Sequence, residues 1–430
     1  MRKLLGFTLI LVMAFTLLVG CGKDDAKKAS KDGDKITLKW AVWDINSTTY
    51  YQPLIDAYTE KNSNVTIEMV DLGSADYMTV LATELTGNDS DIDIAAIKDI
   101  PGYATLVGKN ALEPLGDYIK EKDIDLSAYG GITDQILING GLYALPFRSD
   151  FWVIFYNKDI FDKAGVTYPD NDMTFEEYDQ LARAVTDTTL GSQVYGAHYH
   201  TWRSAVQLFG ILDGKNTIVD GQYDFLKPYY QLILAQQQDK VCQDYATLKT
   251  SSLHYSGAFA QGNVAMMNMG TWFIPTLIEK IKIGEYTDIK NWGLVKYPHA
   301  EGVEPGSTLA TITSLAVTTA SKKKDAAFDF LAFVCGPEGA EVIANTGTIP
   351  AIKTDAVVKS ISSMEGFPED EASAEALVTA NTYLEMPVHE FSSEIETILN
   401  TAHDNIMSGN STIDDGIKYM NTEVQKLLNK

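Results

Sequence analysis

The sequence predicts an α/β protein whose folded body is divided into two lobes. Over residues 36–97, strand-like and helix-like segments alternate, a pattern typical of a mostly parallel sheet flanked by helices. The body from about Lys35 to Lys430 is long for one domain, which favours two lobes. Hydrophobic residues make up 45% of the chain, enough for buried cores.

The first part of the body is predicted to hold three strands and two helices. Apolar residues at helical spacing mark the helices, and short β-rich runs bounded by polar turns mark the strands. In order, these are strand 36–43, helix 50–62, strand 65–71, helix 76–85 and strand 91–97. Ligands bind beyond the carboxyl ends of strands in such sheets, so Trp43-Asp44 and Lys98-Asp99 are expected beside a ligand.

The rest of the body alternates less regularly. A glycine turn and a strand are predicted at 138–146, an apolar strand at 151–156, a short helix ending at Gly165, and mostly helices over 202–283. Thr174 and Glu177 fit a capping box that opens a helix to about residue 186. Strands are expected at 292–297 and 309–318, and helices at 325–334 and 393–430, with a break near Gly409.

The N-terminus has the pattern of a bacterial lipoprotein signal. Residues 1–20 combine a basic start with an apolar run, and this run is shorter than the ~20 residues of a spanning helix, which makes a permanent transmembrane helix the weaker interpretation. Leu18-Val19-Gly20-Cys21 resembles a lipobox, so Cys21 is expected to carry acyl chains such as palmitate that anchor the protein to the membrane. Residues 21–34 are predicted to form a disordered polar tether.

Charge and cysteine content exclude several classes of function. The net charge of −24 argues against nucleic acid and against an anionic membrane surface as partners, and is best explained by solubility. Apart from Cys21, only Cys242 and Cys335 are present; two unpaired buried thiols are favoured over one bridge. No zinc spacing, nucleophile elbow, HExxH motif or P-loop occurs, so neither a metal, a cofactor nor an enzymatic activity is expected.

Several segments, in order along the chain, resemble one known family. They are the segments Leu142-Tyr143-Ala144-Leu145-Pro146, Tyr156-Asn157-Lys158-Asp159, Thr174-Phe175-Glu176-Glu177, Phe259-x-x-Gly262-x-x-Ala265-Met266 with Gly270-Thr271-Trp272, and Gly347-x-Ile349-Pro350. Together they are similar to the family of extracellular solute-binding proteins that includes the maltose-binding protein. The resemblance covers about residues 35–430.

The resemblance implies a periplasmic-binding-protein-like fold with a hinge and a ligand cleft between two lobes. Carried over, lobe one is about 35–147 plus 309–353, and lobe two is about 148–308 plus 354–430. The implied function is to bind a small carbohydrate, most simply an oligosaccharide, and to deliver it by lobe closure to the membrane subunits of an ABC importer. The protein would act as a monomer on the outer face of a bacterial cell membrane.

A sugar site needs flat aromatic side chains for the apolar faces of the rings and planar polar groups for the hydroxyls. Trp272 follows Gly270 and matches the stacking tryptophan of the family. Trp43 and Asp44 end the first strand, with Trp43 also able to serve the core, and Asp99 ends the third strand, where a helix or turn cap is its alternative role.

The other candidates depend on placement by the family pattern. Arg148 and Asp150 lie on one side of an extended strand, where they either share a ligand or pair with each other. Trp202 and, more weakly, His200 belong to a polar–aromatic cluster in lobe two. The remaining candidates are Phe391 or His389 as a further ring, and Ser307 or Thr308 as hydroxyl donors in a loop where the family often has paired glycines.

Three alternatives stay open beside the carbohydrate-binding interpretation. Another solute, such as a polyamine or a peptide, would use the same acids and aromatics. A secreted glycoside hydrolase would need two carboxylates at a set separation, which an acid-rich sequence cannot identify. A cell-surface adhesin would lack the cleft.

Overall fold

The computed structural model describes residues 35–87, 90–189, 193–352 and 355–430. The predicted signal segment, the lipidation site Cys21 and the predicted tether lie outside the described residues. Within the described ranges, no helix combines the length and the apolarity needed to cross a membrane.

Nine strands of the described residues form one mixed sheet. They are β1 Ile36–Val42, β2 Val65–Asp71, β3 Ile94–Ile97, β4 Leu145–Asn157, β5 Tyr195–His198, β6 Val264–Gly270, β7 Trp292–Lys296, β8 Thr308–Val317 and β9 Thr382–Leu384. The strand order is β2-β1-β3-β8-β4-β6-β5, with β7 beside β4 and β9 beside β8. The pairs β1–β2 and β1–β3 are parallel, as predicted, but β3–β8, β4–β8, β4–β6 and β4–β7 are antiparallel, so the sheet as a whole is mixed rather than mostly parallel.

Strand β4 joins two groups of strands. Its first half, up to Phe151, pairs with β8 and through it with β3, β1 and β2. Its second half, from Trp152 to Asn157, pairs with β6 and β7. Side chains alternate along it: Trp152, Ile154 and Tyr156 enter one apolar core, and Phe151, Val153 and Phe155 enter another. The continuous apolar run therefore reflects a strand buried on both faces.

Helices connect the strands. The described α-helices are α1 Tyr51–Lys61, α2 Tyr77–Thr86, α3 Ile100–Gly108, α4 Gly116–Glu121, α5 Ile132–Gln135, α6 Lys158–Ala164, α7 Phe175–Val185, α8 Ser204–Gln207, α9 Lys227–Gln238, α10 Tyr245–Ser251, α11 Tyr255–Ala260, α12 Phe273–Lys282, α13 Lys324–Cys335, α14 Pro337–Ala344, α15 Asp355–Ser362, α16 Glu371–Glu375, α17 Ser392–Met407 and α18 Ile413–Leu428. Short 3₁₀ turns cover Leu126–Tyr129, Leu208–Ile211 and Asp224–Leu226.

Local capping signals in the sequence are confirmed by the structure. The Thr174 hydroxyl accepts the Glu177 amide proton at 3.3 Å, and the Glu177 carboxylate accepts the Thr174 amide proton at 2.8 Å, which completes the capping box. Gly165 ends α6 in the left-handed conformation with φ of 66°. The break between α17 and α18 falls at Gly409, as expected.

One strand was predicted as helix. Residues Val264–Gly270 form β6, which is buried along its whole length in the centre of the second strand group. Its alanine and three methionines are good helix formers, and a fully buried strand has no alternation of polar and apolar residues to reveal it. The short edge strands β5 and β9 were also missed, whereas Cys242 and Cys335 are both buried and unbridged.

Candidate ligand-binding cleft

A cavity of about 410 Å³ opens between the two strand groups. Its first wall follows the carboxyl ends of β1, β2 and β3 and includes Trp43, Asp44, Ser74, Lys98 and Asp99. Its floor comes from the strands that cross between the groups and consists of Arg148, Trp152, Thr311, Thr313 and Glu385. Its second wall consists of Trp202, Arg203, His254, Tyr255, Trp272 and Glu396.

The first wall is polar and is shaped by a turn at Asp44. This residue adopts the left-handed conformation, with φ of 51°, which is uncommon for a residue other than glycine but tolerated by Asp and Asn. Its carbonyl oxygen accepts the amide protons of Ser47 and Thr48 at 2.9 and 3.0 Å. Its carboxylate accepts a hydrogen bond from the Ser74 hydroxyl at 3.0 Å. The turn thus places the Asp44 carboxylate at the cavity, directly after Trp43.

Asp99 both caps a helix and lines the cavity. Its carboxylate accepts the amide proton of Gly102 at 2.7 Å and so caps α3. A Cβ at Gly102 would lie 2.3 Å from the Met78 side chain and 2.9 Å from the Asp99 carboxylate, so both side chains would have to shift to admit a larger residue. Burial raises the pKa of Asp99 to about 6, with the carboxylates of Glu396 and Glu385 acting in the same direction. The two roles considered for Asp99 are therefore compatible.

Arg148 and Asp150 form an ion pair on β4. The Arg148 Nε lies 3.1 Å from the Asp150 carboxylate, and Arg148 Nη2 donates to the Thr313 hydroxyl at 3.1 Å. The guanidinium also lies over the Tyr50 ring, 5.3 Å from its centroid. Arg148 faces the cavity, whereas Asp150 lies behind it, almost fully buried, and accepts a hydrogen bond from the Thr271 hydroxyl at 2.9 Å. Of the two alternatives, the pairing is what the structure shows.

The second wall presents aromatic surfaces. The ring of Trp272 lies 5.6 Å from Trp152 and 6.3 Å from Trp202, measured between centroids, and Tyr255 lies 5.6 Å from Trp202. Trp202 is 38% exposed, an unusual exposure for so large an apolar side chain. A Cβ at Gly270 would fall 2.0 Å from the Trp272 ring, so the preceding glycine makes room for the indole, as the sequence indicated.

His200 supports this wall from behind. Its ring is 4.5 Å from the Trp202 ring and perpendicular to it, and the residue is buried outside the cavity lining. Burial lowers the pKa of His200 to about 3, so the ring is neutral and acts as an apolar support. The sequence analysis named His200 as a candidate ligand-binding residue. The structure places it beside Trp202, outside the cavity lining.

An acidic group on the floor was missed by the sequence analysis. Glu385 follows β9, and its carboxylate accepts hydrogen bonds from the Thr311 hydroxyl at 2.6 Å and from the Trp152 indole N–H at 3.5 Å. Burial raises the pKa of Glu385. Nearby, Arg203 Nε donates to the Glu396 carboxylate at 2.8 Å. The strand that precedes Glu385, β9, is only three residues long and was not predicted, so no local signal in the sequence indicated Glu385.

The remaining candidates do not reach the cavity. Ser307 is buried and accepts a hydrogen bond from the Asn381 amide at 3.2 Å, while the Thr308 hydroxyl donates to the Trp152 carbonyl at 2.6 Å. Both hydroxyls therefore hold the crossing strands together. Phe391 lies at the start of α17, with its ring 5.7 Å from His389, and neither residue belongs to the lining. In the part of the chain that the structure describes, no cluster of histidine, cysteine or acidic side chains could hold a metal ion.

Comparison with known proteins identifies the family. The model of the bacterial extracellular solute-binding proteins matches residues 43–341, and the chain belongs to this family. It is similar to the structure of a sugar transporter from Rhizobium etli in an open conformation, with 53% identity, a TM-score of 0.78, and coverage of 90% of this chain and 99% of the other. It is 25% identical over 358 residues to an arabinooligosaccharide-binding protein from Bacillus subtilis, covering 79% of this chain and 77% of the relative.

The fold is shared with more distant structures. An ABC substrate-binding protein from Listeria monocytogenes, solved in complex with cycloalternan, is 21% identical and superposes with a TM-score of 0.79 over 92% of this chain and all of the other. The predicted α/β fold with two lobes is confirmed by these matches. The lobe boundaries at 147/148, 308/309 and 353/354 remain predictions.

Proposed function

We propose that this protein captures a small carbohydrate in the cleft and delivers it to the membrane subunits of an ABC importer outside the cytoplasm. The observation that carries the proposal is the composition of the cleft: tryptophan side chains on one wall and carboxylates, which can accept hydrogen bonds from hydroxyls, on the other. Pyranose rings need both kinds of surface. The named relatives support it, because they include a sugar transporter and an arabinooligosaccharide-binding protein.

The size of the cavity supports a short ligand. Ligand pockets in proteins span roughly 300–1,000 Å³, and the volume of about 410 Å³ lies at the low end of that range. Among the di- to tetrasaccharides that the aromatic content suggests, a disaccharide fits this volume best. Tight binding of a monosaccharide, with no oligosaccharide bound, would contradict this size.

The ligand-binding roles follow from position. Trp202 and Trp272 would stack on sugar faces, with Trp152 beneath them and Trp43 opposite. Asp44, Asp99 and Glu385 would accept hydrogen bonds from hydroxyls, and Arg148 would donate them. Trp152 and Glu385 are additions to the residues indicated by the sequence.

Closure of the two lobes would couple binding to transport. Residues of the first and second walls belong to different strand groups that β4 and β8 connect. A ligand that contacts both walls binds the closed form more tightly and therefore raises its population. The importer would recognise that closed form. Cys21 would tether the protein to the outer face of the membrane, and replacing it with serine should release the protein into the medium.

A thermal-shift screen tests the proposal on the soluble body, residues 35–430. The panel holds mono- and disaccharides, larger oligosaccharides, polyamines and short peptides. A ligand that binds only the folded state raises the Tm as its site saturates. A shift with one sugar, whose chromatographic trace is unchanged after overnight incubation, would support non-enzymatic sugar binding. Sugar breakdown would favour the hydrolase, and a shift with a polyamine or peptide alone would overturn the carbohydrate assignment.

A further inference from the structure

The charges around the cleft are unequal in number. Four carboxyl groups line it, those of Asp44, Asp99, Glu385 and Glu396, and a fifth, that of Asp150, lies directly behind. They face three cations: Lys98 on the first wall, Arg148 on the floor and Arg203 on the second wall. The cleft therefore carries more acid than base.

The two guanidinium groups are already paired with acids. Arg148 contacts Asp150 at 3.1 Å, and Arg203 contacts Glu396 at 2.8 Å through Nε. Arg203 is almost fully buried, so loss of its contact with Glu396 would leave a buried guanidinium unpaired. Neither guanidinium is thus available as a full charge to a ligand.

Lys98 is also committed. Its Nζ donates to the Ser74 carbonyl at 2.8 Å and lies 5.6 Å from the centre of the Trp43 ring. Burial lowers the pKa of Lys98, while Asp44 and Asp99 are the carboxylates that favour its charged form. The field of Lys98 is therefore largely offset by the two acids of its own wall.

Three acids of the lining, Asp44, Asp99 and Glu385, have no cation within ion-pair distance in the described ranges. Asp44 and Asp99 share their wall with Lys98, whereas Glu385 lies on the floor. Asp99 relies on the Gly102 amide, and Glu385 on the Thr311 hydroxyl and the Trp152 indole, with Arg203 acting on it from a longer distance. Glu385 is one of the carboxylates that raise the pKa of Asp99.

We propose that the cleft excludes anionic sugars and that Glu385 is the residue that sets this exclusion, an inference that rests on the carbohydrate-binding function proposed above. The ligand is a neutral or an amine-bearing sugar. A carboxylate, sulfate or phosphate on the ligand would enter a partly desolvated site beside Glu385 and Asp99. Both arginines of the lining are already in ion pairs, and Lys98, which is in none, donates to the Ser74 carbonyl and lies on the same wall as Asp44 and Asp99. Hydroxyls, by contrast, donate hydrogen bonds to these acids, and an amine would add an ion pair.

Matched sugars test the exclusion. Isothermal titration would compare cellobiose with the β-1,4-linked glucosamine disaccharide and with cellobiouronate, and would compare α-1,4-galactobiose with digalacturonate. The titrations run at pH 7, above the pKa of about 6 that burial gives Asp99, where an amino sugar still carries part of its positive charge. We expect each uronate to bind at least about tenfold more weakly than its neutral counterpart, and the amine-bearing disaccharide to bind at least as tightly as cellobiose.

The outcomes separate this inference from the proposed function. A uronate that binds as well as its neutral partner, or better, overturns the exclusion and leaves sugar binding standing. If none of the five sugars binds, and no sugar of the wider panel binds either, both the proposed function and the inference are contradicted.

A charge-neutral variant assigns the exclusion to one residue. Glu385→Gln keeps the size of the side chain and an oxygen that accepts from Thr311, so the ratio of uronate to neutral affinity should rise by about tenfold. Glu301→Gln removes the same charge from an exposed turn outside the lining and should leave the ratio unchanged. If Glu385→Gln does not fold, Asp99→Asn should raise the ratio in the same direction, because Asn also caps helices. An unchanged ratio in the folded variant overturns the role of Glu385.

Discussion

The two walls of the cleft differ in how they are built. The first wall takes Trp43 and Asp44 from the end of β1 and Asp99 from the residues after β3, so its polar groups come from strand ends of a parallel sheet. The second wall takes Trp202 and Tyr255 from the long segment between β5 and β6, and Trp272 from the turn between β6 and α12. The first wall and the floor present the carboxylates of Asp44, Asp99 and Glu385, whereas the second wall presents three rings beside the paired Arg203 and Glu396. Under the proposed function, discrimination by charge would depend on the first wall and the floor, and affinity mainly on the second wall.

The largest expected effect concerns the floor that joins the walls. Arg148→Met would leave the buried carboxylate of Asp150 without its ion-pair partner. Breaking such a pair typically costs about 3–5 kcal/mol, so we expect the free energy of unfolding, measured in urea, to fall by about that amount.

Two further variants control this measurement. The double variant Arg148→Met with Asp150→Leu should recover most of the loss, because apolar side chains can replace a buried pair. Lys282→Met breaks the exposed pair with Glu365 and should leave the stability nearly unchanged. If Arg148→Met is as stable as the parent protein, the pair does not hold the floor together.

The next largest effect tests the aromatic wall. Trp272→Ala removes the ring that Trp152 and Trp202 flank. Loss of a stacking tryptophan should weaken binding of the sugar found by the screen by about 2 kcal/mol, or about thirtyfold in Kd. Tyr419→Ala removes an exposed ring of α18 outside the cleft and should not change Kd. Calorimetry would measure both, and an unchanged Kd for Trp272→Ala would contradict an affinity role for this wall.

The residues of the first wall could be predicted from the sequence because they directly follow strands that the sequence itself reveals. A strand in a parallel sheet points its carboxyl end at the ligand, so recognising β1 and β3 was enough to indicate Asp44 and Asp99. Trp272 could be indicated by its neighbouring Gly270, which is also a local signal. Trp202, although exposed, was indicated only by the resemblance to the family.

The floor could not be predicted in the same way. Glu385 reaches the cleft because β9, only three residues long, pairs with β8, about seventy residues earlier in the chain. Trp152 belongs to the apolar strand β4, whose two faces pack into two different cores. The sequence of this strand therefore does not indicate which of its residues contacts the cleft. Ser307 was predicted to contact the ligand, but its hydroxyl accepts a hydrogen bond from Asn381. No sequence pattern shows this long-range contact.

A fall in pH should destabilise the protein through buried histidines, which lie on the side of the second wall. All six histidines stand at or after residue 198, and none lies in 35–147 or 309–353. Burial lowers the pKa of His198 to about 4, and that of His200 and His403 to about 3. Their folded-state pKa values lie below the unfolded value of about 6.5. The unfolded chain therefore binds more protons, and the stability present at pH 7 is lost as the pH falls below about 6.5.

His403→Gln tests this contribution. Between pH 7 and pH 5, the variant should lose about 1–2 kcal/mol less stability than the parent protein, as measured by urea unfolding at both values. His198 and His200 remain and should still make the variant less stable in acid. A loss equal to that of the parent protein would show that His403 is protonated in the folded state.

The first wall should respond to acid in the opposite direction, with the smallest effect. Burial raises the pKa of Asp99 to about 6, above its unfolded value. The folded state therefore holds the proton more tightly, and stability is lost as the pH rises from about 4 through 6. Asp99→Asn keeps the cap on α3 and cannot ionise. We expect this variant to be more stable than the parent protein by about 1 kcal/mol at pH 7 and equal at pH 4. If the variant is less stable at both pH values, the carboxylate is favoured by its surroundings, and the first wall is a better anion-holding surface than its hydrogen bonds indicate.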